Sequence, residues 1–452
     1  MAHIAGLGID FMRRAIQKCR SEWKEPMPDT IAPNLVAAVS EARQWQRLME
    51  MAGLGGFTDP QGHRGVNRAC LTPNDRKSRR LLIAWAKQAG LAVSVDKLGN
   101  LFLRHEGQDP SLAPVLTGSH MDSQPNGGRF DGIWGVIAGL EAVEALREAG
   151  ISTRRPIEVV AWTNEEGGRY APGCMGSMAY AGYRPANAWD AITDKDAIPF
   201  AEALAEHLAS ESDLTRRGLG VVEGVAPFAY VEAHIEQGPT LESQDADIGV
   251  VTGIQGSRWF MVEITGKSDH AGTTPLSLRK DAVQDMLRAI TALNTLMHDP
   301  TDTLRFTVAS IEVLPNTSNS VAGTARFTID LRHPDNAVLQ PRGNAIEGVI
   351  QAALRNCAAQ VTERFNAAPS VFAPLVPDAV ERAARAQGLR ALRMPSGAFH
   401  DAQFMHPVCP SGMIFIPCRG GVSHHPSEYS EPAELAAGTR VLAQVLAELA
   451  NH

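Results

Sequence analysis

Residues 156–163, PIEVVAWT, constrain the fold of this chain more than any other stretch. A brief apolar run with paired β-branched residues, bounded by a proline and by polar residues, reads as a buried strand. Before it lies a helical pattern over 134–148 that stops at Gly150, and before that come strand-like runs at 91–95, 100–104 and 114–117. Strands alternating with crossover helices predict an α/β sheet with parallel pairs.

The chain is 452 residues long, which predicts two to three domains. With 44% hydrophobic and 20% charged residues it has material for a sizeable core. A net charge of -8 without a basic run or basic–aromatic patch argues against nucleic acid as a partner. No apolar stretch reaches the roughly 18 residues that span a bilayer, and the charge-interrupted N-terminus does not read as a secretory signal. The six cysteines, at 19, 70, 174, 357, 409 and 418, form no CxxC pair. They read as small buried hydrophobes in a reducing compartment, which makes the cytoplasm the expected location.

Residues 1–33 read as an N-terminal extension. A helix is expected over 34–52, a long loop over 54–77 and a helix over 78–89. The texture changes near Gly249. Residues 250–265 alternate as a strand does, a helix is expected over 279–298, and strands over 304–313 and 323–331. A helix over 344–356 and a strand over 357–366 complete a β-α-β-β-α-β order of the ferredoxin-like kind. This unit, 250–366, reads as an insertion between a first part, 34–249, and a second part, 367–452, of one larger domain. Helices at 378–388 and 432–450 belong to the second part.

Five segments carry residue types suited to metal chemistry. In GSHMD, after a strand, His120 can bind a metal and Asp122 can orient it as a second carboxylate layer; a loop histidine and a turn aspartate are the plainer reading. In FDG, Asp131 is either a helix cap or a carboxylate bridging two cations. In TNEEG, at the end of the buried strand, one of Glu165 and Glu166 can ligate a metal while the other acts as general base. In EAHIEQG, His234 is a ligand candidate and Gln237 a substrate hydrogen-bonder. In GVSHHPSE, paired histidines form either a ligand loop or a polar turn. Mixed imidazole and carboxylate donors suit zinc, manganese, nickel or cobalt.

With SDHAGTTP added, these ordered motifs resemble the amidase, hydantoinase and carbamoylase branch of the dinuclear metallopeptidase and aminoacylase superfamily. The branch includes N-carbamoyl-L-amino-acid hydrolases, β-ureidopropionases and allantoate amidohydrolases. The resemblance runs from about residue 35 to the C-terminus. It implies a mixed-sheet α/β catalytic domain that binds two metal ions, with 250–366 as a ferredoxin-like lid and dimerisation domain. It implies two divalent cations per subunit, zinc or else manganese, nickel or cobalt. His120 and His234 would hold one, Glu166 and His424 the other, and Asp131 would bridge them. Glu165 would be the general base and His270 would polarise the scissile carbonyl. Gln237, Asn319, Arg332, Gly397 and His400 would contact substrate, with Arg332 gripping a carboxylate. Phe399 stands where the family has a small residue, and the Asp131–Gly132 peptide is expected to be cis.

The implied activity is hydrolysis of the N-carbamoyl or ureido C–N bond of a small amino-acid-like carboxylate, releasing ammonia and carbon dioxide, by a cytoplasmic homodimer paired through 250–366. The alternatives are an aminoacylase or dipeptidase of the same superfamily, against which the histidine of EAHIEQG speaks, and a non-catalytic metabolite-binding descendant.

Overall fold

The computed structural model describes residues 33–224 and 226–452, so the expected N-terminal extension lies outside the described residues except for Pro33. The chain divides into two compact units, one running to Thr252 and resuming at Phe372, the other formed by Gly253–Val371.

The large unit is built on a mixed sheet. Eight of its strands run in the order Ile248–Ile254, Ser411–Ile416, Ala229–Ile235, Val115–His120, Ile157–Trp162, Leu101–His105, Ala92–Val95 and Thr215–Arg216. The four strands from Ser411–Ile416 to Ile157–Trp162 are mutually parallel and buried throughout. Their carboxyl ends therefore open at one edge, where ligands collect in open α/β sheets. Helix Ile133–Glu148 packs on the sheet and is buried on nearly every side. Its one deeply buried acid, Glu141, is neutralised by Arg43 at 2.7 Å and accepts a hydrogen bond from the Ser40 amide.

That last bond explains the first departure from the sequence reading. Ser40 is extended and its hydroxyl caps a new helix, so the single helix expected over 34–52 is two, Pro33–Ala38 and Glu41–Gly53. The loop expected over 54–77 holds a small hairpin, Gly56–Thr58 with Arg64–Val66. It also holds the start of helix Pro73–Gln88, which Thr72 caps with Pro73 in its first turn.

The small unit has a four-stranded antiparallel sheet in the order Arg305–Leu314, Thr324–His333, Gly256–Thr265, Ala358–Ala367, the ferredoxin-like arrangement. Phe260, Val262, Phe327 and Ile329 on one sheet face pack with Met286, Leu293, Ile346 and Ile350 of helices Ala282–Leu296 and Asn336–Ala353. The second helix begins well before the expected 344. Asp335 caps it and Pro341 sits inside it. Gly343 leaves room there for the Arg258 guanidinium, which a Cβ would approach to 2.3 Å. Residues 250–265 form two strands rather than one, Ile248–Ile254 in the large sheet and Gly256–Thr265 in the small one. Among the described residues no helix is long and apolar enough to cross a membrane.

Candidate metal centre

Two histidines stand at the carboxyl ends of neighbouring parallel strands. His120 ends Val115–His120, and His234 is next to last in Ala229–Ile235; each is only 1% exposed. Each Nδ1 lies 2.9 Å from a backbone carbonyl, that of Asp122 for His120 and that of Ile235 for His234. A carbonyl only accepts, so Nδ1 carries a proton, and in the neutral ring Nε2 presents its lone pair to the cleft. Both Nε2 atoms face Asp131 Oδ1, at 3.7 and 3.1 Å. His234 Nε2 is buried and makes no well-directed hydrogen bond. Gly132 lets His120 approach, since a Cβ there would fall 2.2 Å from the ring, and its φ of 65° suits glycine.

Asp131 turns its other oxygen to a second group. His424 Nε2 lies 3.2 Å from Asp131 Oδ2 and 3.3 Å from Glu166 Oε2. In each group, His120–Asp131–His234 and Asp131–Glu166–His424, the donor atoms lie within 4.8 Å of one another. Imidazole nitrogens with their lone pairs turned inward, around a carboxylate with one oxygen for each group, are a donor set that fits a pair of divalent cations. The two groups differ in access, because the His424 side chain is 50% exposed.

The electrostatics are those of a place that wants positive charge. Burial raises Glu166 to about 8, with Asp131 adding to the shift. Burial and several neighbouring acids, Asp401 foremost, raise Glu165 well above the usual carboxylate range. Burial lowers His120 to about 4. At His234 burial acts in the same direction, but Asp131 and Glu232 outweigh it and hold the ring at about 9. Glu165 itself belongs to neither group; its Oε2 lies 3.4 Å from His120 Nε2.

Residues 116–448 match the family described as Peptidase family M20/M25/M40. The chain belongs to that family. Within it, the chain is 37% identical over 426 residues to the N-carbamoyl-L-amino-acid amidohydrolase of Rhizobium meliloti, covering 93% of this chain and 99% of that protein. It is 38% identical over 413 residues to the enzyme of the same name from Geobacillus stearothermophilus, covering 90% and 98%. A crystal structure of an amidase of the hydantoinase/carbamoylase family from Burkholderia multivorans superposes with a TM-score of 0.84 at 40% identity, covering 92% of this chain and 98% of that one. Membership of the hydantoinase/carbamoylase branch, read from the motifs, is thereby shown.

In this amidase several expected details differ. Asp122 orients His120 through its backbone carbonyl, not its carboxylate, whose Oδ1 is 3.8 Å from Nδ1. The carboxylate instead accepts from the amides of Glu165 and Glu166, at 3.3 and 3.2 Å, and so holds the turn that presents both acids. Asp131 caps no helix with its side chain; Gly132 occupies the cap position. The described cis peptides are Ala171–Pro172 and Leu314–Pro315, so Asp131–Gly132 is trans, against expectation. Gln237 has a left-handed backbone and donates to Asp131 Oδ2 at 3.0 Å. His400 is buried with its ring 4.5 Å from that of His234 and Nε2 2.9 Å from Ser396 Oγ, and Gly397 lies exposed on the adjoining turn.

Two residues that complete the centre escaped the sequence reading. Glu428 is fully buried and accepts from the amides of Phe130 and Asp131 and from the Ser423 hydroxyl, tying the Asp131 loop to the His424 loop. Gln124 donates to Glu166 from its amide and its side chain, at 3.1 and 2.9 Å.

The small unit carries the remaining candidates. His270 is exposed and pairs with Ser320. Its Nδ1 accepts from the amides of Gly272 and Thr273, which leaves the proton of the neutral ring on Nε2. Asn319 lies beside it, accepting from the Ala271 amide at 2.9 Å. Arg332 lies on strand Thr324–His333 and donates to Asp330 at 3.0 and 2.7 Å.

Proposed function

We propose that this metal-dependent amidohydrolase removes the N-carbamoyl or ureido group from a small amino-acid-like carboxylate, using two divalent cations per subunit. The observation that carries the reading is Asp131, with one oxygen toward His120 and His234 and the other toward Glu166 and His424. His120, His234 and Asp131 would hold one cation, and Asp131, Glu166 and His424 the other. Zinc, manganese, nickel and cobalt all suit these donors. When bound, such a pair supplies Lewis acidity and makes hydroxide accessible near neutral pH.

The chain's own residues do the rest. Glu165, raised by its burial among acids, takes the proton of the attacking water. It returns that proton to the departing amino-acid nitrogen as the C–N bond breaks. The carbamic acid released falls apart into ammonia and carbon dioxide. His270 donates a hydrogen bond from its Nε2–H to the carbonyl oxygen as charge develops there. Arg332 meets the substrate carboxylate with its guanidinium fork, and Asn319, Gln237, Gly397 and His400 fix the remaining polar groups. Residues 250–366 act as lid and as the pairing surface of a cytoplasmic homodimer. Exposed Leu276, Leu278 and Ile311 in that unit favour such pairing.

Ammonia release is the direct test, measured over N-carbamoyl and ureido acids, N-acetyl amino acids and dipeptides, with each metal supplied in turn. Turnover confined to the carbamoyl and ureido acids is expected. Preference for N-acyl amino acids or dipeptides, scored as liberated amine, would overturn the reading in favour of an aminoacylase or dipeptidase.

A further inference from the structure

The two oxygens of the candidate general base Glu165 meet different neighbours. Oε2 faces His120 Nε2 at 3.4 Å. Oε1 receives its contact from Cys174, whose Sγ lies 3.4 Å away, within hydrogen-bonding reach for sulfur. Among the described residues no other side-chain hydrogen bond to the Glu165 carboxylate is found, and Cys174 is only 5% exposed.

The backbone fixes this contact. The amide of Cys174 donates to the Glu165 carbonyl at 2.9 Å, that of Met175 to Asn164 at 3.3 Å, and that of Gly176 to Thr163 at 2.9 Å. Segment 174–176 is thus laced to the turn that carries the base. Gly173 is pressed so closely against that turn that a Cβ would lie 2.1 Å from the Glu165 carbonyl oxygen. Cys174 itself takes φ 54° and ψ 27°, a left-handed conformation that an L side chain adopts at a cost. Strain of this kind persists where the surroundings hold the residue in place, and here it directs the sulfur at the carboxylate. Burial and the neighbouring carboxylates raise the thiol well above its usual range, so it stays S–H and donates.

We propose that Cys174 is a positioning residue for Glu165, its S–H fixing one carboxylate oxygen so that the other stays turned to the reacting water. The thiol belongs to neither group of candidate metal ligands. As a weak donor it orients the carboxylate while leaving it basic. The inference rests on the reading of Glu165 as the base.

The experiment compares Cys174→Ala and Cys174→Ser in the metal-loaded enzyme, alone and combined with Glu165→Gln. Alanine and serine share the backbone strain of cysteine at this position, and only serine keeps a donor. Cys174→Ala is expected to lower kcat about three- to tenfold, the scale of one lost neutral hydrogen bond. KM and metal content should stay unchanged. Cys174→Ser should recover to within about twofold, and the alanine effect should vanish in the Glu165→Gln background, because coupled residues are not additive. Equal losses in alanine and serine, no loss in alanine, or a loss that persists beside Glu165→Gln would each overturn the proposal. Normal turnover in Glu165→Gln alone would instead remove the reading of Glu165 on which it rests.

Discussion

In the large unit His120, Asp131 and His234 are buried at the carboxyl edge of a parallel sheet, with the Glu165 side chain almost as enclosed. In the small unit His270 and Asn319 are exposed and Arg332 is half-buried. The difference is one of electrostatic strategy. The large unit packs Asp131, Glu165, Glu166 and Glu428 into one cleft, and burying so many carboxylates together is unfavourable unless positive charge joins them. The small unit pairs its charges near the surface, as Arg332 does with Asp330 and Arg326 with Glu263 and Glu312. Under the proposed function the first arrangement would hold a cation, and the second would meet the substrate.

If that contrast is right, variants of the two units fail differently. Glu165→Gln should lower kcat by about 10³ to 10⁴, at the upper end for general acid–base catalysis, with the metal content measured by atomic spectrometry unchanged. Near-normal turnover would remove the base from the large unit. His270→Ala should cost about 10² to 10³ in kcat, the scale of one lost oxyanion donor. Metal content and melting temperature should not change, and a loss of metal would break the comparison by showing that the small unit also builds the centre.

Stability should divide the units as well. In the large unit Arg79 and Glu211 form a pair at 2.7 Å with side chains 4% and 2% exposed. Removing one charge with Glu211→Gln should cost about 3–5 kcal/mol, because it strands a buried guanidinium. In the small unit Glu312→Gln breaks a surface pair and should cost less than about 1 kcal/mol in the same denaturation experiment. Burial alone would raise Glu211, but Arg79 outweighs it and holds the carboxyl far below its ordinary 4.5. The pair's contribution is therefore present above about pH 4.5 and is lost as the pH falls toward the lower folded value. Acid unfolding should shift to higher pH in the Glu211→Gln variant. Arg332→Ala should lower kcat/KM for carboxylate substrates about 10- to 100-fold and leave amide analogues nearly unchanged. An equal effect on both would take Arg332 out of substrate binding.

The two units were also unequally legible. The apolar runs before His120, Glu165 and His234 announce strands, and chemistry-bearing residues at strand ends are what a parallel sheet displays. The ferredoxin-like unit followed from its alternation of periods. What stayed hidden depends on distant partners. Ser40 breaks a helix because Glu141, about a hundred residues on, takes its amide. Pro341 reads as a helix stop, yet the helix capped by Asp335 continues through it. FDG alone leaves Asp131 as either a helix cap or a bridging carboxylate, because a local pattern cannot show histidines and a glutamate closing around it. Glu428 meets Asp131 across 297 positions, and Asp122 presents to His120 the carbonyl that a sequence does not distinguish from its carboxylate.

The central claim is that one aspartate joins two cation positions, and anomalous diffraction from crystals grown with manganese or zinc tests it most directly. The expected result is two peaks about 3.5–4 Å apart, one ligated by His120 and His234, the other by Glu166 and His424, with Asp131 between them. Peaks elsewhere, or a fully loaded crystal with no metal touching Asp131, would contradict it.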